Sequence, residues 1–154
     1  MLRILFVCLG NICRSSAAES VMQSKLISRG LEDKVFVDSA GLIDYHEGEL
    51  SDSRMIYHAR LRGYSLTHRS RPIRREDFER FDLIIGMDDS NINRLRGLCK
   101  DASEMSKIHK MTEYSIDYSV DSVPDPYYGT EKSFERTLDL LEDACEGLVQ
   151  SIEV

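Results

Sequence analysis

Two residues near the start of the chain have the types and the spacing for chemistry on a tetrahedral oxyanion. They are the cysteine and the arginine separated by five residues in the run Cys8-Leu9-Gly10-Asn11-Ile12-Cys13-Arg14-Ser15. A cysteine thiolate is a strong nucleophile, and an arginine guanidinium is a planar fork that grips two oxygen atoms at once. Such a pair would occur by chance in about one such chain in three, so its meaning depends on the elements around it.

The loop that holds this pair lies between a predicted strand and a predicted helix. Residues 2–8 form an apolar run typical of a strand buried on both faces, and residues 15–29 follow a helical pattern. In a short strand-to-helix loop, the backbone N–H groups and the positive end of the helix dipole form a cradle for an anion. Gly10 and Asn11 tolerate the left-handed backbone angles that a tight cradle needs.

Cys8 is expected at the floor of this cradle, where the same positive field favours its thiolate form. A thiolate beneath a bound phosphate is placed for in-line attack on phosphorus. The hydroxyl of Ser15 could donate to that thiolate and steady it as nucleophile and later as leaving group. The alternative interpretation is that Cys8 is simply a small buried residue at the end of a strand.

A metal site is the other use that cysteines near histidines can have. It would combine Cys8 and Cys13 with two histidines, but a zinc-ligand spacing is missing among His46, His58, His68 and His109. We therefore predict that the protein uses neither a metal nor another cofactor.

Strand and helix patterns alternate along the rest of the chain. Strands are predicted at 35–37, 81–87 and 106–111, and helices at 52–61, 88–98 and 130–152, with a polar loop at 112–129. This alternation predicts an α/β fold of one domain, with a central four-stranded parallel sheet and helices on both faces. Because ligands bind at the carboxyl ends of such strands, the loops after Val7, Val37 and Met111 should meet at one site.

The helices carry more detailed predictions. Ser16 and Glu19 have the spacing of a capping box, and Gly30 ends that helix, while Ser51 or Asp52 caps the next one. The apolar face of the first helix comprises Val21, Met22, Leu26 and Ile27. That of the last helix comprises Phe134, Leu138, Leu141, Ala144, Cys145 and Leu148.

The long polar loop offers a proton donor for a leaving group. Asp125 stands between Pro124 and Pro126, whose fixed backbone angles stiffen its position. Tyr127 and Tyr128 follow and could wall a slot for an aromatic ring. A proline-rich turn with a solvated aspartate is the alternative interpretation.

Composition limits the classes of partner and of compartment. The chain has 154 residues, with 27 acidic and 20 basic side chains and a net charge of -7, which argues against a general nucleic-acid binder. It has no stretch of about 20 apolar residues to span a membrane, and its amino-terminal run is too short for a signal peptide. Four cysteines are too few for a disulfide scaffold. We expect a cytoplasmic protein with reduced thiols and no nucleic-acid or membrane partner.

Charge is unevenly distributed. Residues 54–75 hold seven arginines and no acidic residue: Arg54, Arg60, Arg62, Arg69, Arg71, Arg74 and Arg75. One interpretation is a solvated helix face followed by a loop. The other is a basic rim that draws an anionic partner toward the site.

These residues and motifs resemble the low-molecular-weight protein tyrosine phosphatases over essentially the whole chain. The C-x5-R-S loop lies at the very amino terminus, as in that family. The other matching segments are Asp38-Ser39-Ala40-Gly41, Thr67-His68-Arg69-Ser70-Arg71, Phe81-Asp82-Leu83-Ile84-Ile85-Gly86-Met87-Asp88 and Asp125-Pro126-Tyr127-Tyr128. The resemblance implies a phosphatase that acts on a phosphotyrosine protein or a small aryl phosphate, with phosphate as product and inhibitor.

The resemblance also implies roles for individual residues. Cys8 would form a phosphocysteine, Arg14 would clamp the phosphate together with residues 9–15, and Asp125 would be the acid for the leaving phenol and then the base for water. Asn11 would hold the loop through hydrogen bonds to Ser15, Ser39 and His68. Asp88 would accept a hydrogen bond near Arg14. Cys13 either forms a disulfide with Cys8 under peroxide or is plain packing.

The loop at 42–52 departs from the family pattern. Tyr45 matches an aromatic that packs on the phosphotyrosine ring, but the usual prolines are absent, and Glu47 and Glu49 are expected to disfavour acidic phosphopeptides. Ile12 matches the tyrosine-specific members, because members that resemble arginine phosphatases carry Thr there. Exposed tyrosines around the site are compatible with a monomer or a weak homodimer.

Two other functions share parts of this pattern. A thioredoxin-coupled arsenate reductase has the same fold and loop, but it needs cysteines that relay a disulfide, and only Cys99 and Cys145 remain here. The Asp125 segment also has no task in that chemistry. A phosphotyrosine-binding module without activity would not need Cys8, Arg14 and Asp125 together.

Overall fold

A computed structural model describes residues 1–153 and contains the predicted α/β fold. The strands are β1 (Leu2–Cys8), β2 (Val35–Gly41), β3 (Leu83–Gly86) and β4 (Ile108–Lys110). The helices are α1 (Arg14–Ser28), α2 (Ser53–Leu61), α3 (Asp77–Arg80), α4 (Asp89–Leu98), α5 (Ala102–Met105) and α6 (Glu131–Glu153), and a 3-10 helix spans Met111–Tyr114.

The four strands form one parallel sheet in the order β2-β1-β3-β4. Alternate residues of the central strand β1 point into two separate apolar clusters: Ile4 and Phe6 into one, Leu5 and Val7 into the other. The first cluster includes the buried faces of α1 and α6, and the second includes those of α3 and α4. Helices therefore cover both faces of the sheet, as the sequence predicts.

Strand ends differ from the predicted bounds where pairing continues beyond the apolar residues. Strand β2 extends to Gly41, which pairs with Cys8, so Ser39 lies within the strand and not in the loop after Val37. At the other edge of the sheet, β4 is only three residues long. The short helices α3 and α5 and the 3-10 helix were not predicted, since one helical turn leaves no measurable periodicity in a sequence.

Two details of α1 correct the sequence prediction. Ser16 and Glu19 form no capping box, because the Ser16 hydroxyl donates to the Cys13 carbonyl and the N-cap residue makes no side-chain hydrogen bond. Ile27 is exposed, so the apolar face of α1 comprises Ala17, Ala18, Val21, Met22 and Leu26. The start of α1 is therefore left open to a ligand.

The long helix α6 closes one face of the sheet. All six residues predicted for its apolar face are fully buried. Asp143 accepts hydrogen bonds from the N–H groups of Ile116, Asp117 and Tyr118, which fixes the first part of the long loop. Among the helices of residues 1–153, none combines the length with the apolar content that a bilayer crossing requires.

Candidate active site

The carboxyl ends of the strands surround a cavity of about 300 Å³. Its walls come from the loop after β1, the loop after β2 and the long loop before α6. The lining residues are Cys8, Leu9, Gly10, Ile12, Cys13, Arg14, Ile43, Tyr45, His46, Asp125, Tyr127 and Tyr128. Most of the residues that sequence reasoning selected thus meet in one place.

The loop between β1 and α1 presents unpaired donors to this cavity. The backbone N–H groups of residues 9–14 donate no hydrogen bond to any other residue of the part described, residues 1–153. The first N–H groups of a helix have no partner within it and point along its dipole. With no side-chain cap on α1, these groups are available to an anion.

Cys8 lies at the last position of β1 with only 3% of its surface exposed. Its Sγ lies 3.1 Å from the Ser15 Oγ, which in turn accepts a hydrogen bond from the Asn11 side-chain amide at 2.8 Å. Because one lone pair of the Ser15 hydroxyl is already used by that amide, its proton can be directed at sulfur. This geometry suits a thiolate stabilised by one neutral donor.

Asn11 holds the loop in its strained conformation. Its φ of 59° is in the left-handed region, which costs a residue with a Cβ about 1–2 kcal/mol. Its amide donates to Ser15 and Ser39, and its Oδ1 accepts from His68 Nε2 at 2.9 Å and from the backbone N–H of Arg71 at 3.1 Å. The contact with Arg71 was not predicted, because its donor is a backbone N–H far away in the sequence, and the residue type gives no sign of it.

Behind Asn11 lies a cluster of ionisable groups in which sequence reasoning found His68 but missed Glu19 and Asp38. Ser39 donates to Glu19 Oε1 at 2.7 Å, and the same oxygen lies 3.2 Å from His68 Nδ1. Burial raises the pKa of Glu19 to about 7, and burial also lowers the pKa of His68. Glu19 could not have been found from its spacing, because that spacing also fits a helix cap.

The same cluster is where a cation would find side-chain ligands. Glu19, Asp38 and His68 offer atoms within 4.8 Å of one another. Asp38 is already paired with Arg71 at 3.1 Å, and His68 and Glu19 are bonded to Asn11 and Ser39. We therefore interpret these groups as a hydrogen-bonded support for the loop.

Arg14 is the first residue of α1 and is only 2% exposed. Its Nη1 donates to Asp88 Oδ2 at 2.7 Å and to the Val123 carbonyl at 2.9 Å. Its Nε is buried and has no partner among the described residues, and its Nη2 lies 3.6 Å from Asp125 Oδ2. A buried donor without an acceptor is costly, so this guanidinium is arranged for a ligand that brings one.

The loop after β3 also belongs to the site, although the predicted convergence of three loops did not include it. Asp88 caps α4 through Oδ1, which accepts from the N–H of Asn91, while its other oxygen orients Arg14. The Val123 N–H donates to the Met87 carbonyl at 2.9 Å, so the same loop anchors the segment that carries Asp125. Four strand ends, not three, therefore contribute.

Asp125 lies at the mouth of the cavity with 42% of its side chain exposed. Its Oδ1 accepts from the Tyr127 N–H at 3.0 Å, which leaves Oδ2 directed toward Arg14. Arg54, seen in the sequence only as part of a basic stretch, holds this segment: its Nη2 donates to the Tyr127 carbonyl at 2.8 Å. Its guanidinium also lies over the rings of Tyr127 and Phe134.

Aromatic side chains line the entrance. Tyr45 is 79% exposed and Tyr128 95% exposed, and between them His46 meets Tyr45 edge-on at 4.8 Å and lies 6.4 Å from Tyr127. Rings so exposed in the free protein provide apolar area for a planar ligand group. The entrance is thus suited to an aryl substituent on the bound anion.

Of the other three cysteines, Cys13 lines the cavity with Cys8, and Cys99 and Cys145 do not. Cys13 lines the cavity, but burial and then Asp52 raise its pKa, so it is a neutral thiol. Cys99 follows α4 and does not line the cavity, and the Cys145 thiol is directed at the Ala18 carbonyl within the core. This arrangement does not support disulfide relay through Cys99 or Cys145.

The arginines of residues 54–75 do not form one basic rim. Arg62 pairs with Glu135, Asp139 and Glu142 on α6, and Arg71 pairs with Asp38 and Asp77. Arg75 pairs with Glu104. The stretch mainly ties separate elements together, and Arg54 supports the cavity from behind by holding the Tyr127 segment.

Comparison with known proteins agrees with this site. The model of a family described as low molecular weight phosphotyrosine protein phosphatase matches residues 3–154. The chain is 37% identical over 154 residues to the low molecular weight protein-tyrosine-phosphatase YfkJ of Bacillus subtilis, covering 99% of this chain and 97% of that protein.

Solved structures of phosphatases have the same fold as this chain. A protein tyrosine phosphatase from Entamoeba histolytica superposes with a TM-score of 0.96 at 46% identity, over 99% of this chain and 97% of that one. A Drosophila arginine phosphatase superposes with a TM-score of 0.92 at 29% identity, over 99% of both chains.

Proposed function

The chain belongs to the low molecular weight phosphotyrosine protein phosphatase family, and from this premise we propose that it hydrolyses tyrosine phosphomonoesters through a phosphocysteine on Cys8. The observation that carries the proposal is the unmet donor set around a nearly buried thiol. The Arg14 Nε and the N–H groups of residues 9–14 have no acceptor among the described residues, and they share a cavity with Cys8. A phosphate dianion satisfies them together.

The first step transfers the phosphoryl group to sulfur. The Cys8 thiolate attacks phosphorus, the S–P bond forms and the bond to the phenolic oxygen breaks. Asp125 gives its proton to that oxygen, so that a neutral phenol leaves. Arg14 and the loop donors hold the three equatorial oxygens while their charge is redistributed.

The second step regenerates the enzyme. A water molecule attacks phosphorus, Asp125 takes one proton from it, and the S–P bond breaks to give phosphate and the Cys8 thiolate. The Ser15 hydroxyl, 3.1 Å from sulfur, stabilises that thiolate as it leaves. Asp125 thus returns to its protonated state, and neither a metal nor an external reductant takes part.

The substrate class follows from the entrance. The entrance walls that contact an aryl ring are formed by Tyr45, His46, Tyr127 and Tyr128. A phosphotyrosine side chain is long enough to reach from a protein surface to a buried nucleophile. Ile12 at the cavity wall is the residue of tyrosine-specific members, which favours phosphotyrosine over phosphoarginine. Phosphotyrosine proteins and small aryl phosphates are the proposed substrates.

A redox role is proposed for the neighbouring thiol. Peroxide would oxidise the Cys8 thiolate to a sulfenic acid, and Cys13 would condense with it to a disulfide and release water. Because burial raises the pKa of Cys13, Cys8 is the first site of oxidation. A thiol nucleophile of this kind needs a reducing compartment, and we propose that the protein works in the cytoplasm.

The test uses p-nitrophenyl phosphate at about pH 5–6 in the presence of a metal chelator. The wild type should release nitrophenol, Cys8→Ser should abolish turnover, and Asp125→Asn should lower kcat by about 10²–10⁴-fold. Cys99→Ser and Asp121→Asn change the same residue types away from the cavity and should leave kcat nearly unchanged. Turnover that persists in Cys8→Ser, or a wild type without turnover, would refute the proposal.

A second measurement separates the alternative substrates. Phosphotyrosine, phosphoserine and phosphoarginine peptides of one sequence are compared by kcat/KM, and arsenate reduction is followed with thioredoxin. Preference for phosphotyrosine supports the proposal. Phosphoarginine preference or thioredoxin-dependent arsenate reduction would contradict it, as would tight phosphotyrosine binding without hydrolysis.

A further inference from the structure

Asp125 lines a second groove in addition to the cavity that contains Cys8. This groove has a volume of about 240 Å³ and lies between the long loop and the start of α6. Its other lining residues are Pro124, Pro126, Lys132, Ser133, Arg136 and Thr137. Because one residue belongs to both, a ligand in the cavity and a group in this groove would be near neighbours.

The groove carries two positive charges that the protein does not neutralise. Lys132 and Arg136 are exposed, stand one helical turn apart on α6, and form no ion pair with a carboxylate of residues 1–153. Arg136 is held by the Tyr118 ring, whose centroid lies 5.3 Å from the guanidinium carbon. By contrast, Arg62 of α2's carboxyl end is paired with three acidic residues of α6.

One neutral donor and the helix dipole also favour an anion in the groove. The Ser133 hydroxyl accepts from the Thr130 N–H at 3.2 Å, so its own proton is available to a ligand. The groove also lies at the amino end of a 23-residue helix, where the dipole adds positive potential. The two prolines provide an apolar wall for the methylene groups of an acidic side chain.

Extending the proposed function, we infer that this groove binds a Glu or Asp carboxylate of the substrate close to the phosphotyrosine. Asp125 is the one carboxylate that lines the groove. In the proposed reaction Asp125 begins as a protonated, neutral acid, so it does not repel an acidic residue when substrate binds. The groove therefore makes acidic phosphopeptides the preferred class.

This inference is opposite to the expectation drawn from Glu47 and Glu49. Both carboxylates have a side-chain partner: Glu47 lies 4.0 Å from the Arg74 guanidinium, and Glu49 lies 3.1 Å from His46 Nδ1. Lys132 and Arg136 have no carboxylate partner among residues 1–153. The two predictions give different rankings of the same peptides.

The test is a panel of phosphotyrosine peptides that carry Ala, Glu or Lys on the amino side, the carboxyl side or both sides of the phosphotyrosine. Exposed charge pairs contribute up to about fivefold each, so the better Glu peptide should exceed its Lys counterpart by roughly 3- to 20-fold in kcat/KM at low salt. In Lys132→Met/Arg136→Met the ratio should fall to near one. Arg60→Met/Arg94→Met removes two exposed cations elsewhere and should keep it.

Hydrolysis of p-nitrophenyl phosphate separates this inference from the proposed function. Its kcat/KM should be the same in the groove variant and in the wild type, because that substrate has no flanking charge. An unchanged Glu preference in the groove variant, or no preference in the wild type, overturns the inference. A peptide with phosphoserine in place of Glu tests the ligand: if phosphoserine alone is preferred and Glu equals Ala, the carboxylate assignment is wrong.

Discussion

Replacing Asn11 separates the two ways in which this residue supports the loop. Asn11→Ala removes four hydrogen bonds and leaves a Cβ at a φ of 59°. Asn11→Gly removes the same hydrogen bonds but suits that backbone angle. The difference in the free energy of unfolding between the two variants therefore measures the backbone strain. The loss that both variants share measures the contribution of the side-chain amide.

The magnitudes follow from the partners that each change leaves behind. The Ser15 and Ser39 hydroxyls keep their own acceptors, but His68 Nε2 and the Arg71 N–H lose theirs, at about 1–3 kcal/mol each. Ala keeps the left-handed strain of about 1–2 kcal/mol that Asn11 already bears, whereas Gly removes this strain but costs about 0.5–1 kcal/mol through its flexibility. We expect losses in the free energy of unfolding of about 2–6 kcal/mol for Asn11→Ala and about 1 kcal/mol less for Asn11→Gly.

Urea unfolding measures these free energies by linear extrapolation. Turnover of p-nitrophenyl phosphate reports whether the loop keeps its geometry. Because a displacement of about 1 Å can cost about 10²-fold in rate, both variants should lose roughly 10- to 100-fold in kcat/KM while still folded. Asn93→Ala, an exposed asparagine of α4, should change stability by less than about 0.5 kcal/mol.

Two outcomes would refute this reasoning. If Asn11→Gly is less stable than Asn11→Ala, the left-handed backbone is not under strain that glycine relieves. If Asn11→Gly is as stable and as active as the wild type, the hydrogen bonds from the amide do not hold the loop.

Three further changes test other contacts. Arg54→Met should lower kcat/KM roughly fivefold for aryl phosphates with poor leaving groups and less for good ones, because the loop of the proposed acid loses its anchor; Arg60→Met is the control, and an equal loss for all leaving groups would contradict a positioning role. Gly147→Ala would place a Cβ 1.8 Å from a carbonyl oxygen of the 3-10 helix, and it should lower the free energy of unfolding in urea by more than about 2 kcal/mol. The Cβ of Gly97→Ala would contact no other atom, so this variant should not lose stability. Burial raises the pKa of Glu19 to about 7, so the stability that its neutral form contributes is fully present below about pH 4.5 and is lost as pH rises through 7. The free energy of unfolding of the wild type should therefore fall over that pH range relative to that of Glu19→Gln. Parallel plots of the two free energies against pH would disprove it.

The order of strands and helices was predictable from the sequence because burial leaves a clear periodicity. Strand β1 and the buried face of α6 show this, since their apolar residues lie in the core, and the pattern of apolar residues in the sequence reflects that burial. The bounds of β2 and β4 were less predictable. Strand β2 continues through Asp38 and Ser39 because pairing with β1 continues, and pairing between strands leaves no trace in either strand alone.

The residues of the loop after β1 were predictable because chemistry limits which residue types can serve there. Those that support it were harder to predict, since their partners are distant in sequence. Glu19 reaches Ser39 and His68, and Arg54 reaches Tyr127. Sequence spacing described the first as a helix cap and the second as part of a charged stretch. Only the fold brings such partners within hydrogen-bond distance.

The wrong prediction of a capping box at α1 shows how stability and the proposed function compete. A capping box would satisfy the first N–H groups of α1 from within the protein and would occupy the place of an anion. Instead Ser16 bonds back to the Cys13 carbonyl, and Glu19 is used behind the loop. The N–H groups stay free, and the loop keeps its shape through the Asn11 side chain and through Ser70 and Asp52, which donate to the Gly10 and Ile12 carbonyls. If this argument is right, phosphate should raise the unfolding temperature of the wild type more than that of Asn11→Gly, because only the wild-type loop is held in the shape that binds it.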